Sequence, residues 1–572
     1  MDTKRKLRKE CYLWRMKMNN RISSRIEKIA IELTNQLSVV ETPEELDVTQ
    51  KVYDILINNE YFRDNPENIR FVDVPNDGLE RKSVLAILEG QKGNSKKTVV
   101  LVGHTDTVGI SDYGNLKEYA NKPYLLTKKF KEIAYKLPEE VRVDLESGNY
   151  LFGRGLFDMK TGDAIIIALM EEISKDIENL EGNIIFAAVC DEESNSGGML
   201  SIVPELVRLQ ENEEFEYEAL IDADYMTSEF EGDENKYIYI GTVGKLMPSF
   251  YIVGKETHVG ESFKGLDPNQ ISSSILSRIN LNTDFCDSVE GEVTLPPISL
   301  KQRDLKPEYS SQIANTSTLF FNYATFKSTP DEVLVKMKDI ALDAFQSTID
   351  DLNVKFKKFC KLVGRGYKRL PWKARVISYD ELYFAVKSEI GNDIDGRIAN
   401  LTKKMLNDET IDQRDFSLKL VEEVHSLWSD REPVVIVYFT PPYYPHIYVE
   451  RDTSKEKTLL NAVKDAVSTT DSTYKLVYKR FYPYISDLSY SSAPKDDKII
   501  ASLKDNMPGF GIKYKLPLED MQKLDLPVLN IGAFGKDAHK FTERIEKKYS
   551  FEVAPVLLYK TIMNLLNNNT VN

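Results

Sequence analysis

Up to about residue 243 the apolar positions fall into two alternating textures. Short apolar runs occur in "VLAILEG" (84–90) and "KTVVLVG" (97–103), which end in glycine, and in "NIIFAAVC" (183–190) and "EYEALID" (216–222), which run into acids. Such runs predict strands. Positions 24–37 and 44–56 instead carry apolar groups at helical spacing, and "GDAIIIALMEEIS" (162–174) is too long for a strand and predicts a buried helix. Strands alternating with helices predict an α/β layered sheet, in which functional groups gather at the carboxyl ends of the strands. Three such ends carry acids or a histidine: His104 with Asp106, Asp191 with Glu192 and Glu193, and Asp222 with Asp224.

From about Gly244 the pattern changes. "KLMPSFYIVGKETHVG" alternates as a half-exposed strand does, and "DPNQISSSILSRIN" opens like a capped helix. "STLFFNYATF" and "PVVIVYFTPPYYPHIYV" then read as strands flanking helical stretches at 330–352 and 414–428. These predict a second, α+β domain inserted into the first. Near Arg451 the first texture returns and closes on "PVLNIGAFGKDAHKFTERI", a strand followed by glycines and His539. The expected organisation is a catalytic domain over 1–243 and 449–572, with an inserted domain over 244–448. His425, on the helical stretch at 414–428, reads as a packed or surface residue.

Composition narrows the function classes. A chain of 572 residues exceeds one ordinary core, and 42% apolar with 29% charged residues describes a globular protein. A net charge of −15 argues against a general nucleic-acid binder, which needs a basic face. The short basic run from Lys4 to Lys9 is not followed by an apolar segment of signal-peptide length, and no stretch has the apolar length of a membrane span. Cys11, Cys190, Cys286 and Cys360 are scattered without paired spacing, which suits a reducing compartment. The expectation is a cytoplasmic protein acting on a small molecule, with no nucleic-acid or membrane partner.

The strand ends carry nitrogen and oxygen donors without thiolates, a donor set that suits zinc or a similar divalent ion. His104 offers an imidazole nitrogen, and Asp106, two residues on, is placed to accept its other ring N–H and fix the tautomer. Asp158 sits in the glycine-rich turn "LFGRGLFDMKTGDA" directly before the buried helix. Glu192 and Glu193 are adjacent; in a turn both face one site with different tasks, one on a metal and one accepting a proton from water.

"GHTDTV", "GRGLFDMKTG", "DEESNSGG", "ALIDAD", "GKETHVG" and "GKDAH" occur in the order found in the M20 family of co-catalytic zinc peptidases, which this chain resembles. The "RGLFDMKTG" form and the tyrosine-rich "FYPYISDLSYSS" look closest to an arginine-utilisation branch. The resemblance implies a zinc-peptidase catalytic domain with a mixed central sheet, of the phosphorylase/hydrolase-like type, carrying an inserted lid or dimerisation domain. It also implies two divalent metal ions, zinc first and cobalt or manganese as alternatives, bridged by Asp158. His104 and Asp222 or Asp224 would complete one ion, with Asp222 preferred for its place directly after the apolar run. Glu193 and His539 would complete the other. Glu192 becomes the general base, Asp106 the orienter of His104, and His258 of the inserted domain an oxyanion donor.

The implied activity is hydrolysis of an amide or peptide bond in an N-acyl amino acid or dipeptide, by a monomer or homodimer. The alternative is a catalytically silent binding or regulatory protein that keeps the fold; it is disfavoured because no ligand and no base is missing. The chain departs from the simplest family pattern in two places. An insertion separates Asp106 from Asp158, and the second domain is longer than a minimal lid.

Overall fold

The computed structural model describes residues 21–408 and 410–567; the Lys4–Lys9 run and Cys11 lie outside them. The chain divides into two compact units. Among the described residues, one comprises 21–242, 447–493 and 517–567, and the other Val243–His446 with Pro494–Leu516. The segment Pro494–Leu516, placed by sequence with the catalytic part, thus groups with the second unit. Its helix Asp497–Asp505 packs on the long helix Pro330–Leu362, and the Asn506 carbonyl accepts the Phe439 N–H at 2.7 Å. Ile499, Ile500 and Leu503 give the helix an apolar face, but the spacing does not say which unit that face packs on.

The first unit is built on an eight-stranded mixed sheet. Its order is Ile69–Asp73, Lys82–Glu89, Asn183–Val189, Lys97–His104, Glu216–Asp222, Val528–Asn530, Lys236–Ile240 and Leu476–Lys479. Lys97–His104 runs parallel to both neighbours, with His104 paired to Val189 and Val102 to Asp222. This register brings the three acid-bearing ends side by side. Alternation sends Val99 and Leu101 to one face, where the Thr161–Ile173 and Ala554–Asn567 helices share their core. Val100 and Val102 are buried on the opposite face. The Thr161–Ile173 helix is buried almost all round, as its sequence predicts.

A three-stranded sheet joins Gly535–Lys536, Arg544–Glu546 and Tyr150–Phe152. It holds the segment bearing His539 against the strand that leads into the Asp158 turn. The insertion after Asp106 folds into a short 3-10 stretch and the helices Pro123–Glu132 and Glu139–Ser147, around a core that includes Leu126, Phe130 and Leu145.

The second unit has its own sheet, ordered Ile298–Asp304, Thr316–Thr325, Pro248–Val253, Val434–Phe439 and Val376–Ser378. "DPNQ" caps the helix Pro268–Ile279 as expected, the Asp267 carboxylate accepting the Asn269 N–H at 2.9 Å. No helix among the described residues is long and apolar enough to cross a membrane.

Candidate metal centre

Gly103, next to last in the central strand, stands where nothing larger fits. A Cβ there would lie 2.3 Å from the Asp163 carboxylate and 2.9 Å from the Met159 methyl. The close approach lets the strand end and the Thr161–Ile173 helix deliver His104 and Asp158 to one point. His104 Nε2 lies 3.1 Å from Asp158 Oδ1, and His539 Nε2 lies 3.0 Å from Asp158 Oδ2. One buried carboxylate therefore carries an imidazole on each oxygen. The arrangement joins positions 104, 158 and 539, which the sequence separates widely.

The two glutamates diverge from their turn. Glu192 Oε2 approaches His104 Nε2 at 3.9 Å, whereas Glu193 Oε1 lies 3.2 Å from His539 Nε2. Asp191 shapes the turn with φ of 65°; its carbonyl accepts the Ser196 N–H and its carboxylate the Gly197 N–H. Arg81 clamps that carboxylate at 2.5 Å while also bonding Asp77 and the buried Glu45.

Asp106 divides its oxygens in a way that its spacing does not reveal. His104 Nδ1 lies 3.1 Å from the Asp106 main-chain carbonyl and 3.8 Å from its carboxylate. The carboxylate instead accepts the backbone N–H groups of Glu192 and Glu193, at 3.2 and 3.0 Å. One residue thus orients the histidine and also ties down the glutamate turn.

At the third strand end, Asp222 accepts the Ser486 hydroxyl at 2.8 Å and the Asp224 N–H at 3.1 Å. Asp224 accepts the Tyr482 hydroxyl at 2.9 Å and the Tyr225 N–H at 2.6 Å. Ser486 and Tyr482 come from the tyrosine-rich stretch, whose aromatic residues pack around Tyr225. His258 lies in the second unit, exposed, where its Nδ1 accepts the Gly260 N–H at 3.1 Å at the start of a short 3-10 helix.

The electrostatics describe a site that wants cations. Burial opposes charge on Asp158, but hydrogen bonds from His104 and His539 hold it well below the usual carboxylate range. Burial would lower His539, yet its bonds to Asp158 and Glu193 push it up to about 10, and His104 rises for the same kind of reason. Burial raises Glu192, Glu193, Asp222 and Asp224, the last further through Asp158. Asp163 is fully buried with neither oxygen hydrogen-bonded among the described residues, and burial pushes its carboxyl well above the usual range. Donor atoms of His104, Asp158 and Glu193 all lie within 4.8 Å of one another. Imidazole nitrogens converging with carboxylate oxygens at that spacing fit a divalent ion of the zinc type.

Glu543, four residues past His539, escaped the sequence reading although it is a fully buried carboxylate beside the Asp158 turn. The Glu45–Arg81–Asp191 cluster is not visible in the sequence either: Asp191 lies in the "DEESNSGG" motif, but Glu45 and Arg81 are far from it along the chain and belong to no motif.

Comparison with known proteins fixes the lineage. The model of peptidase family M20/M25/M40 matches residues 100–564. The chain belongs to this family. This M20 enzyme is 35% identical over 548 residues to Protein RocB of Bacillus subtilis (strain 168), covering 96% of each chain. It is also 35% identical over 558 residues to the protein YqjN of the same strain, covering 96% of this chain and 98% of that one. The first of these is the branch to which "RGLFDMKTG" and the tyrosine-rich stretch pointed. Among solved structures, a tripeptidase from Staphylococcus aureus subsp. aureus Mu50 shares the fold of the M20 chain, with a TM-score of 0.52 at 12% identity over 96% of this chain and 99% of that one.

Proposed function

We propose that this M20 enzyme is a metal-dependent hydrolase cleaving an amide or peptide bond in a small polar substrate. N-acyl amino acids and dipeptides are the first candidates, arginine-containing ones among them. The observation that carries the reading is the single buried Asp158 with His104 on one oxygen and His539 on the other.

Asp158 would be shared by two divalent ions, zinc first and cobalt or manganese as alternatives. His104 and an acid of the 222/224 pair complete one set of donors; Glu193 and His539 complete the other. Asp222 is preferred for its place directly after the apolar run, with Asp224 as the alternative; both carboxylates are buried at the end of that strand. Two bound cations supply Lewis acidity, polarising the scissile carbonyl and bringing the pKa of an attacking water towards neutrality. Glu192, adjacent to Glu193 but turned towards His104, takes the proton of that water and passes it to the leaving nitrogen. Asp106 holds the ring of His104 and the backbone of both glutamates in place. His258 is proposed as the oxyanion donor. The second unit is proposed to serve as a lid or dimerisation domain.

A screen of N-acyl amino acids and dipeptides, with zinc, cobalt or manganese supplied, tests the reaction class. Hydrolysis that chelation abolishes and metal restores is the expected outcome. Persistent inactivity of protein with its metal sites filled would contradict the reading and favour a silent binding protein.

A further inference from the structure

The insertion between Asp106 and Asp158 is tied to the proposed metal centre by apolar packing of Phe130 on Phe152 and Phe541 and, more directly at the Asp158 turn, by charges. Arg154, its side chain only 2% exposed, donates to Asp112 of the insertion at 2.9 Å and to the fully buried Glu543 at 2.6 Å. Glu543 uses its other oxygen on the turn itself, accepting the backbone N–H groups of Gly155 at 2.8 Å, Phe157 at 3.3 Å and Asp158 at 3.5 Å. Backbone bonds follow the same route: the Gly153 N–H donates to the Glu543 carbonyl and the Arg154 N–H to that of Ala120 in the insertion. A second tie runs from the other end of the insertion. Asp144 accepts from Arg544 at 2.7 Å and from Lys536 at 3.0 Å, so it grips both strands that flank the His539 loop.

We infer that the insertion is a brace: Asp112, Arg154 and Glu543 are positioning residues that set the orientation of Asp158 relative to His539. The planar guanidinium is what lets one side chain span two carboxylates, and lysine cannot reproduce that fork. None of the three is placed on a metal; they act through the turn that carries the shared ligand. The inference rests on Asp158 being that ligand. It gives the insertion a task in metal retention, where insertions near a pocket are ordinarily read as modifiers of substrate access.

The test is the affinity of the full-length protein for zinc or cobalt, read by competition with a chromophoric chelator. Asp112→Asn, Arg154→Lys, Glu543→Gln and Asp158→Asn are compared, and melting of each metal-free protein reports its folding. Groups that orient metal ligands typically contribute about 10- to 100-fold in affinity. A weakening of about that size is expected for Arg154→Lys and Glu543→Gln, and a smaller one for Asp112→Asn. Asp112→Glu, which keeps the charge, should recover most of the loss, whereas a general loss of stability would not be recovered this way. Glu543→Gln is fully buried and prone to misfold, so the partly exposed Asp112 pair carries the decision. Wild-type affinity in Asp112→Asn and Arg154→Lys, with affinity lost in Asp158→Asn, overturns the brace alone. Wild-type affinity in Asp158→Asn overturns the metal reading, and the brace with it.

Discussion

Individual residues at the centre carry more than one contact, and the second contact is usually the one that the sequence conceals. The short spacing of His104 and Asp106 foretells that they meet. It does not foretell that the Asp106 carboxylate turns away to hold two backbone N–H groups 86 and 87 positions further on. The adjacent Glu192 and Glu193 were legible as a pair in a turn; which way each points follows from the left-handed Asp191 and its buried clamp by Arg81. With Glu193 beside His539 and Glu192 beside His104, Glu192→Gln should keep the metal content and fold of the wild type. Its rate of hydrolysis should fall by about a hundredfold to ten-thousandfold, the range typical of a lost general base. Substantial turnover by that variant, with metal content confirmed by elemental analysis, would remove Glu192 from the role.

Elements were legible where hydrophobicity alone specifies them. The strands at 84–89 and 97–104 and the helix at 161–173 lie in a core that buries them on every side, so their continuous apolar runs are diagnostic. Pro494–Leu516 groups with the second unit instead: the apolar face of its helix shows in the sequence, while its partnering with the Pro330–Leu362 helix does not. His425 shows how an element can hide a titrating group. It lies on the helix Gln413–Leu427 with its ring near those of Tyr251 and Trp428, and its Nε2 has no hydrogen-bond partner among the described residues. Burial lowers it to about 4 from its ordinary value near 6.5. The unfolded chain therefore binds the proton first as pH falls. Stability is complete above about pH 6.5 and is lost as pH falls towards 4, by at most about 3 kcal/mol. His425→Phe should flatten the fall in melting temperature between those limits; an unchanged slope would show that other groups dominate it.

At the scale of the whole molecule, the sheet topology makes the site. Three parallel strand ends in register supply His104, the Asp191–Glu193 turn and the 222/224 pair, and the three-stranded sheet returns His539 from near the other end of the chain. The six motifs in order sufficed to recognise the M20 family, whose model spans residues 100–564. They were silent about the brace, because Asp112, Arg154 and Glu543 converge only once the insertion has folded. Uncompensated carboxylates at such proximity repel one another, which is the physical reason to expect cations among them.

The central claim is that Asp158 is shared by two ions, and elemental analysis of the purified protein after equilibration with zinc tests it most directly. Two ions per chain in the wild type, with both lost in a folded Asp158→Asn variant, is the expected result. Two ions retained by that variant, or the loss of only one, would contradict it.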